Sequence, residues 1–194
     1  MSGWLSRWMQ ERGIIEKEDS EIYQYGIRSG GIILLNLITA FLIGLFTEQL
    51  LVVCVFTLSF MTLRSFTGGF HCDDSLFCYI GSSLVLFIPV YMGGQFASLS
   101  VLAVVLTLAA AAGIIIIFSP MHSKNRRLDQ KEKKHFGRCA RTITALQVAV
   151  FSLLWYLGYQ DCACAVYESI CITAVFMLAG KAKLFIQFHM EKRR

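Results

Sequence analysis

Charge is what this sequence has least of. Only 16% of its 194 residues are charged and 56% are hydrophobic, whereas a soluble domain averages about a quarter charged residues. Mean hydropathy is +0.59. That leaves too little polar surface to wrap a water-soluble globule, and soluble enzymes and soluble binding modules are excluded. Proline is nearly missing too. Pro89 and Pro120 are the only two, so there is no Pro-rich linker, and no internal repeat or low-complexity segment accompanies them. No continuous apolar run precedes the acidic patch Glu16, Glu18, Asp19 and Glu21, so a signal peptide is not expected.

The chain contains five long apolar stretches and one shorter one, separated by charged or Gly-rich breaks. That is the pattern of membrane-spanning helices. The spans are drawn at 28–46, 50–67, 76–92, 96–118, 142–158 and 163–183. Span two is the weakest, because its clean run from Leu50 to Leu63 falls short of the ~20 residues a crossing needs. A short or re-entrant helix is the alternative to a full crossing there. Ahead of the spans, Trp4, Leu5, Trp8 and Met9 recur at helical spacing, with Arg7, Glu11 and Arg12 on the other face. Residues 1–25 are therefore expected to form an interfacial amphipathic segment, and 26–194 the multi-helix transmembrane domain. The expected fold class is all-α and polytopic.

The net charge of +5 would suggest nucleic acid in a soluble protein. Here Lys and Arg mark topology instead, and no nucleic-acid partner is expected. The loop from Ser119 to Arg141 carries Lys124, Arg126, Arg127, Lys131, Lys133, Lys134, Arg138 and Arg141. The tail adds Lys181, Lys183, Lys192, Arg193 and Arg194, and the opposite-side turns contain neither residue type. Both termini, the basic loop and the stretch from Arg64 to Cys78 then fall on the cytoplasmic side.

That stretch concentrates the chemistry. It reads Arg64-Ser-Phe-Thr-Gly68-Gly69-Phe-His71-Cys72-Asp73-Asp74-Ser75-Leu-Phe-Cys78. Ionisable groups at a membrane boundary are costly and are functional candidates by default. A Cys/His pair is the minimum for thiol nucleophilic catalysis: the thiolate attacks, and the imidazole takes the proton and returns it to the leaving amine. A free thiol, with a pKa of about 8.5, is only a few per cent ionised near neutrality. A helix N-terminus raises that fraction. Asp74 or Ser75 can cap the third span, which puts Cys78 at the third or fourth helical position, in the positive end of the dipole. Cys72 has no such placement. On one continuous helix, His71 and Cys78 would be separated by about 10.5 Å of rise, so the chain must turn between them. Asp73-Asp74-Ser75 is suitable turn material. Gly68 and Gly69 would let backbone approach a substrate or offer N–H groups to an oxyanion.

Blander readings exist for each residue. His71 and Cys78 could be a boundary imidazole and a buried thiol, the glycines a helix end, the aspartates caps, and Arg64 a snorkelling side chain. A metal site from His71, Cys72, Cys78 and an Asp is a rival, but the spacing matches no standard site. Cys54, Cys139, Cys162, Cys164 and Cys171 read as small hydrophobes. No metal and no cofactor is expected.

Arg64-x-x-x-Gly68-Gly69-x-His71 followed seven residues later by Cys78 resembles the signature of the accessory gene regulator B family, membrane cysteine endopeptidases of bacterial quorum sensing. Ser119-Pro120-Met-His-Ser-Lys124-Asn125-Arg126-Arg127-Leu128 is similar to the loop after that family's fourth hydrophobic segment. The resemblance implies Cys78 as nucleophile, His71 as base, and Arg64 and Gly69 as further residues important for processing. It implies cleavage of a small precursor peptide through an acyl-enzyme thioester, closure of a thiolactone or lactone ring, and a homodimer in the bacterial cell membrane. The sequence departs from the pattern in placing Cys72 beside His71. Arg64, Lys124, Arg126 and Arg127 are candidates to hold an acidic part of the precursor, and lipid is the other expected partner. The alternative is a non-enzymatic membrane transporter or scaffold for a peptide or metal.

Overall fold

The computed structural model describes residues 20–68, 75–96, 99–121 and 129–191, with Trp8, Gln10, Arg12 and Gly13 besides; of residues 75–78 it describes the backbone. The chain divides into two units, Met1–Thr39 and Ala40–Arg194. Most of the expected amphipathic segment lies outside the described residues. Within it the Arg12 guanidinium sits 4.7 Å from the centre of the Trp8 ring, so these two residues, a helical turn apart, share a face rather than opposing one another.

Every described element is helical: α1 (Ser20–Phe46), α2 (Leu50–Thr67), α3 (Ser75–Val85), α4 (Phe87–Phe96), α5 (Val101–Phe118), α6 (Gln130–Tyr156) and α7 (Gln160–Glu191). Four helices are long and apolar enough to cross a bilayer: Leu50–Thr67, Val101–Phe118, Gln130–Tyr156 and Gln160–Lys183. Shorter apolar helices occupy Gly30–Phe46 and Tyr79–Gly93. The protein is an all-helical, polytopic membrane protein.

Span two is a full helix rather than a truncated one. Its polar residues do not end it, because their hydroxyls bond back to the preceding turn: Thr57 to the Val53 carbonyl, Thr62 to Leu58 and Ser65 to Met61, all at 2.7–2.8 Å. Eighteen residues rise about 27 Å, close to the thickness of a hydrocarbon core. The expected span 76–92 is instead broken at Leu86, between α3 and α4. Pro89 accounts for this, since its ring crowds the carbonyl four residues back and its nitrogen has no proton to donate. The other boundaries follow capping. Ser100 accepts the Ala103 N–H at the start of α5. The Glu132 carboxylate accepts the Asp129 N–H, half of a capping box. This cap starts α6 twelve residues earlier than the apolar run at 142 alone suggests.

Helix α7 is the centre of the bundle, packed against α2, α4, α5 and α6. Its span is 61% buried, against 22% for each of the other three. Ala163, Val166, Ile170, Ala174 and Met177 join Leu63, Val104, Leu108, Ile115, Met121 and Phe151 in the larger core cluster. Ala165 joins a second one with Ala40, Ile43, Val52, Val53, Phe56 and Leu86. Polar bonds that cross between helices include Thr107 to the Tyr167 hydroxyl at 2.8 Å, and Gln147 Nε2 to the Ser59 carbonyl at 2.8 Å. Most outward side chains of α5, including Leu102, Val105, Leu106 and Ile117, are exposed, as a lipid-facing helix requires.

Candidate active site

The end of α2 carries the first described residues of the polar stretch. Gly68 follows the helix with φ 70° and ψ −153°, a backbone region that essentially only glycine occupies. Its N–H bonds the Arg64 carbonyl at 3.3 Å. Its own carbonyl accepts from Arg64 Nη1 and from Thr67 Oγ1, both at 3.3 Å. The Arg64 guanidinium also lies 5.1 Å from the centre of the Phe176 ring of α7, a cation–π distance. Arg64 therefore holds the Gly68 carbonyl while stacking on the central helix. Phe60 meets the same Phe176 ring at 6.1 Å, and Phe66 meets Phe136 of α6 at 6.1 Å.

A second segment closes on this corner. After α5, Ser119 is extended and Pro120 follows, which stops the helix. Met121 then donates its backbone N–H to the Thr67 carbonyl at 2.9 Å. Thr67 is 0%, Ser119 8% and Met121 9% exposed. The two stretches singled out in the sequence, one beginning at Arg64 and one at Ser119, thus meet through their backbones. Just before Ser119, Phe118 presents its ring to the Lys181 ammonium of α7 at 3.4 Å.

Cys78 is the fourth residue of α3, the helical position expected of it. Its side chain, together with Gly69, His71, Cys72, Asp73, Asp74, Lys124, Arg126 and Arg127, lies outside the described residues. So do the turn required between His71 and Cys78 and the rival metal set. Among the described residues no group of three His, Cys, Asp or Glu side chains is placed to hold a metal.

Of the five cysteines read as small hydrophobes, Cys162 and Cys164 are buried and Cys139 and Cys171 are half-buried, while Cys54 is exposed. Cys164 has more to do than pack, because its thiol donates to Glu168 Oε1 at 3.4 Å. Glu168 itself is buried, and its other oxygen has no partner among the described residues. The cleft bordered by Val101, Phe151 and Trp155 contains no ionisable side chain and lies at the opposite end of α5 from Phe118.

Sequence reasoning missed three residues of the corner: Thr67, Gly137 and Phe176. Thr67 and Phe176 read as ordinary members of apolar helices. Gly137 is buried, and a Cβ there would stand 3.2 Å from Pro120 Cδ; it was invisible because it sits among lysines and arginines in sequence and a glycine carries no signal of what approaches it.

Comparison with protein-family models matches residues 3–179 to the family described as Accessory gene regulator B. No curated protein and no solved structure matches the chain.

Proposed function

Because the chain belongs to the accessory gene regulator B family, and so to quorum-sensing peptide processing at a membrane, we propose that it is a cysteine endopeptidase that cleaves and cyclises a small precursor peptide. The observation that carries this reading is the pattern Arg64-x-x-x-Gly68-Gly69-x-His71 with Cys78 seven residues on. The placement of Cys78 in α3 supports it, since the first turn of a helix favours a thiolate.

The chemistry runs in two steps. His71 accepts the thiol proton of Cys78, the thiolate adds to the scissile carbonyl, and collapse of the tetrahedral intermediate breaks the C–N bond. His71 returns the proton to the departing amine. The acyl group is then held as a thioester on Cys78. A Cys thiol or Ser hydroxyl within the same acyl peptide attacks that thioester, its proton passes to the Cys78 sulfur through His71, and the ring leaves as a thiolactone or lactone. Water in place of the internal nucleophile would give the linear acid. Gly68 and Gly69 supply close backbone approach. Lys124, Arg126 and Arg127 are the cations offered to an acidic part of the precursor. The positive-inside pattern puts the site, the basic loop and both termini in the cytoplasm, and the protein acts as a homodimer in the bacterial cell membrane.

The test is mass spectrometry of a co-expressed precursor with the wild type, Cys78→Ala and His71→Ala. Cleaved and cyclic products are expected with the wild type alone. Undiminished processing by either variant would overturn the assignment and leave a non-enzymatic transporter or scaffold, for which the buried Glu168 of α7 is the motivating feature.

A further inference from the structure

The segment Ser119–Met121 is seated between two glycines. A Cβ on Gly68 would stand 2.9 Å from the Met121 carbonyl oxygen, closer than real Cβ contacts come. A Cβ on Gly137 of α6 would stand 3.2 Å from Pro120 Cδ and 3.7 Å from the Ser119 oxygen. The segment is therefore closely approached by two glycines, Gly68 at Met121 and Gly137 at Pro120. It is also bonded, since the Met121 N–H occupies the Thr67 carbonyl at 2.9 Å. That carbonyl is one of the last four of α2, which have no partner within their own helix. Arg64 and Thr67 occupy the next one, on Gly68. The Thr67 and Gly68 carbonyls are thus held by donors from three residues, and one of them is supplied by the segment after α5.

We infer that Ser119-Pro120-Met121 is a positioning strap for the proposed peptidase, fixing Thr67 and Gly68, from which the chain runs on to His71, and that Gly137 is a positioning residue acting through the strap. The inference rests on the endopeptidase reading and deepens it. His71 is three residues beyond Gly68, a reach of about 10 Å at most. Gly68 is thus the nearest anchored residue on the N-terminal side of the proposed base. The reaction needs sulfur and imidazole within about 3 Å, and a misplacement of about 1 Å can cost on the order of a hundredfold in rate.

Gly137→Ala is the graded probe. Its new methyl requires Pro120 to give by a few tenths of an ångström, a small push on the strap. Gly113→Ala is the control, since a Cβ there meets nothing within 4 Å. Cleavage kinetics of the precursor would be measured on the full chain in lipid nanodiscs, alongside thermal unfolding and the yield of monodisperse protein. For Gly137→Ala the expected result is a kcat about tenfold lower with KM within about twofold and unfolding within a few degrees of wild type. Gly113→Ala is expected to match wild type. Gly68→Ala should lose more than Gly137→Ala, and the double variant should lose less than the product of the two losses, because both push on one strap.

A wild-type kcat for Gly137→Ala, or a loss that tracks only the unfolded fraction, would overturn the positioning role. If Gly137→Ala does not reach the membrane, Met121→Ala is read in the same way. It keeps the N–H to Thr67 but removes the side chain that packs the strap into the core. A different outcome separates the underlying reading: if the wild type does not cleave, or Cys78→Ala does, the endopeptidase assignment falls and the strap loses its catalytic meaning with it.

Discussion

Gln147 of α6 reaches the Ser59 carbonyl of α2 through its Nε2 at 2.8 Å, deep in an apolar bundle. Its Oε1 has no partner among the described residues and is buried. The side chain therefore gains one interhelical bond and strands one acceptor. Interhelical polar bonds in membrane proteins average about 0.6 kcal/mol, and an orphaned buried acceptor costs on the order of 1 kcal/mol or more. Gln147→Leu should change unfolding free energy by no more than about 1 kcal/mol and leave the fold intact. Reversible unfolding in mixed micelles measures this, and a loss several times larger would show that Gln147 organises the bundle.

The two cysteines flanking the aspartates should separate cleanly. Cys78 lies in the first turn of α3, whereas Cys72 precedes the helix and matches no position of the nucleophile pattern. Cys72→Ala is expected to process the precursor within about twofold of wild type, and Cys78→Ala to lose at least about a thousandfold, the scale on which nucleophile removal acts. Product quantification by mass spectrometry distinguishes them. Equal losses at both positions would return the metal-site reading to consideration.

Glu168 contributes to the bundle one satisfied oxygen and one without a partner among the described residues. Replacing it with an apolar side chain of similar length removes the stranded oxygen. Glu168→Met is expected to raise the unfolding free energy by about 1–3 kcal/mol. A stability that falls instead would mean that the carboxyl has a partner the bundle depends on.

Ser119 offers a smaller version of the same test. Its hydroxyl is buried with no partner among the described residues, while its backbone N–H bonds Ile115 at 3.0 Å. Ser119→Ala leaves that backbone bond and deletes the orphan. Stability should be unchanged or rise by up to about 1 kcal/mol, read as melting temperature.

How much of this was visible in the sequence depends on the range of the interaction. Apolar runs and their breaks located α2, α5 and the spanning part of α7, because burial in lipid acts residue by residue. Span two looked short only because Arg64 and Ser65 were read as its end, whereas local hydroxyl-to-carbonyl bonds carry the helix through to Thr67. The interruption at Leu86 was legible in principle from Pro89, yet the run 76–92 is apolar enough to read as one span. The corner formed by Thr67, Met121 and Gly137 had no local sign at all. It depends on one backbone hydrogen bond and on the space beside two glycines, and neither leaves a periodicity. Arg64 and Gly68 were picked out for their chemistry, but what they do structurally, a side chain holding the carbonyl of a glycine at positive φ, required coordinates.

The bond between Thr67 and Met121 also has a bearing on sidedness. The hydrogen-bonded pair Thr67 and Met121 puts the end of α2 and the segment after α5 at one end of the bundle, whatever number of helices separates them in sequence. The segment containing His71 has no lysine or arginine of its own to orient it. Its two anchors are instead tied to one another, so a charge reversal at Lys124, Arg126 and Arg127 is expected to change the sidedness of tags placed beside Thr67 and beside Met121 together.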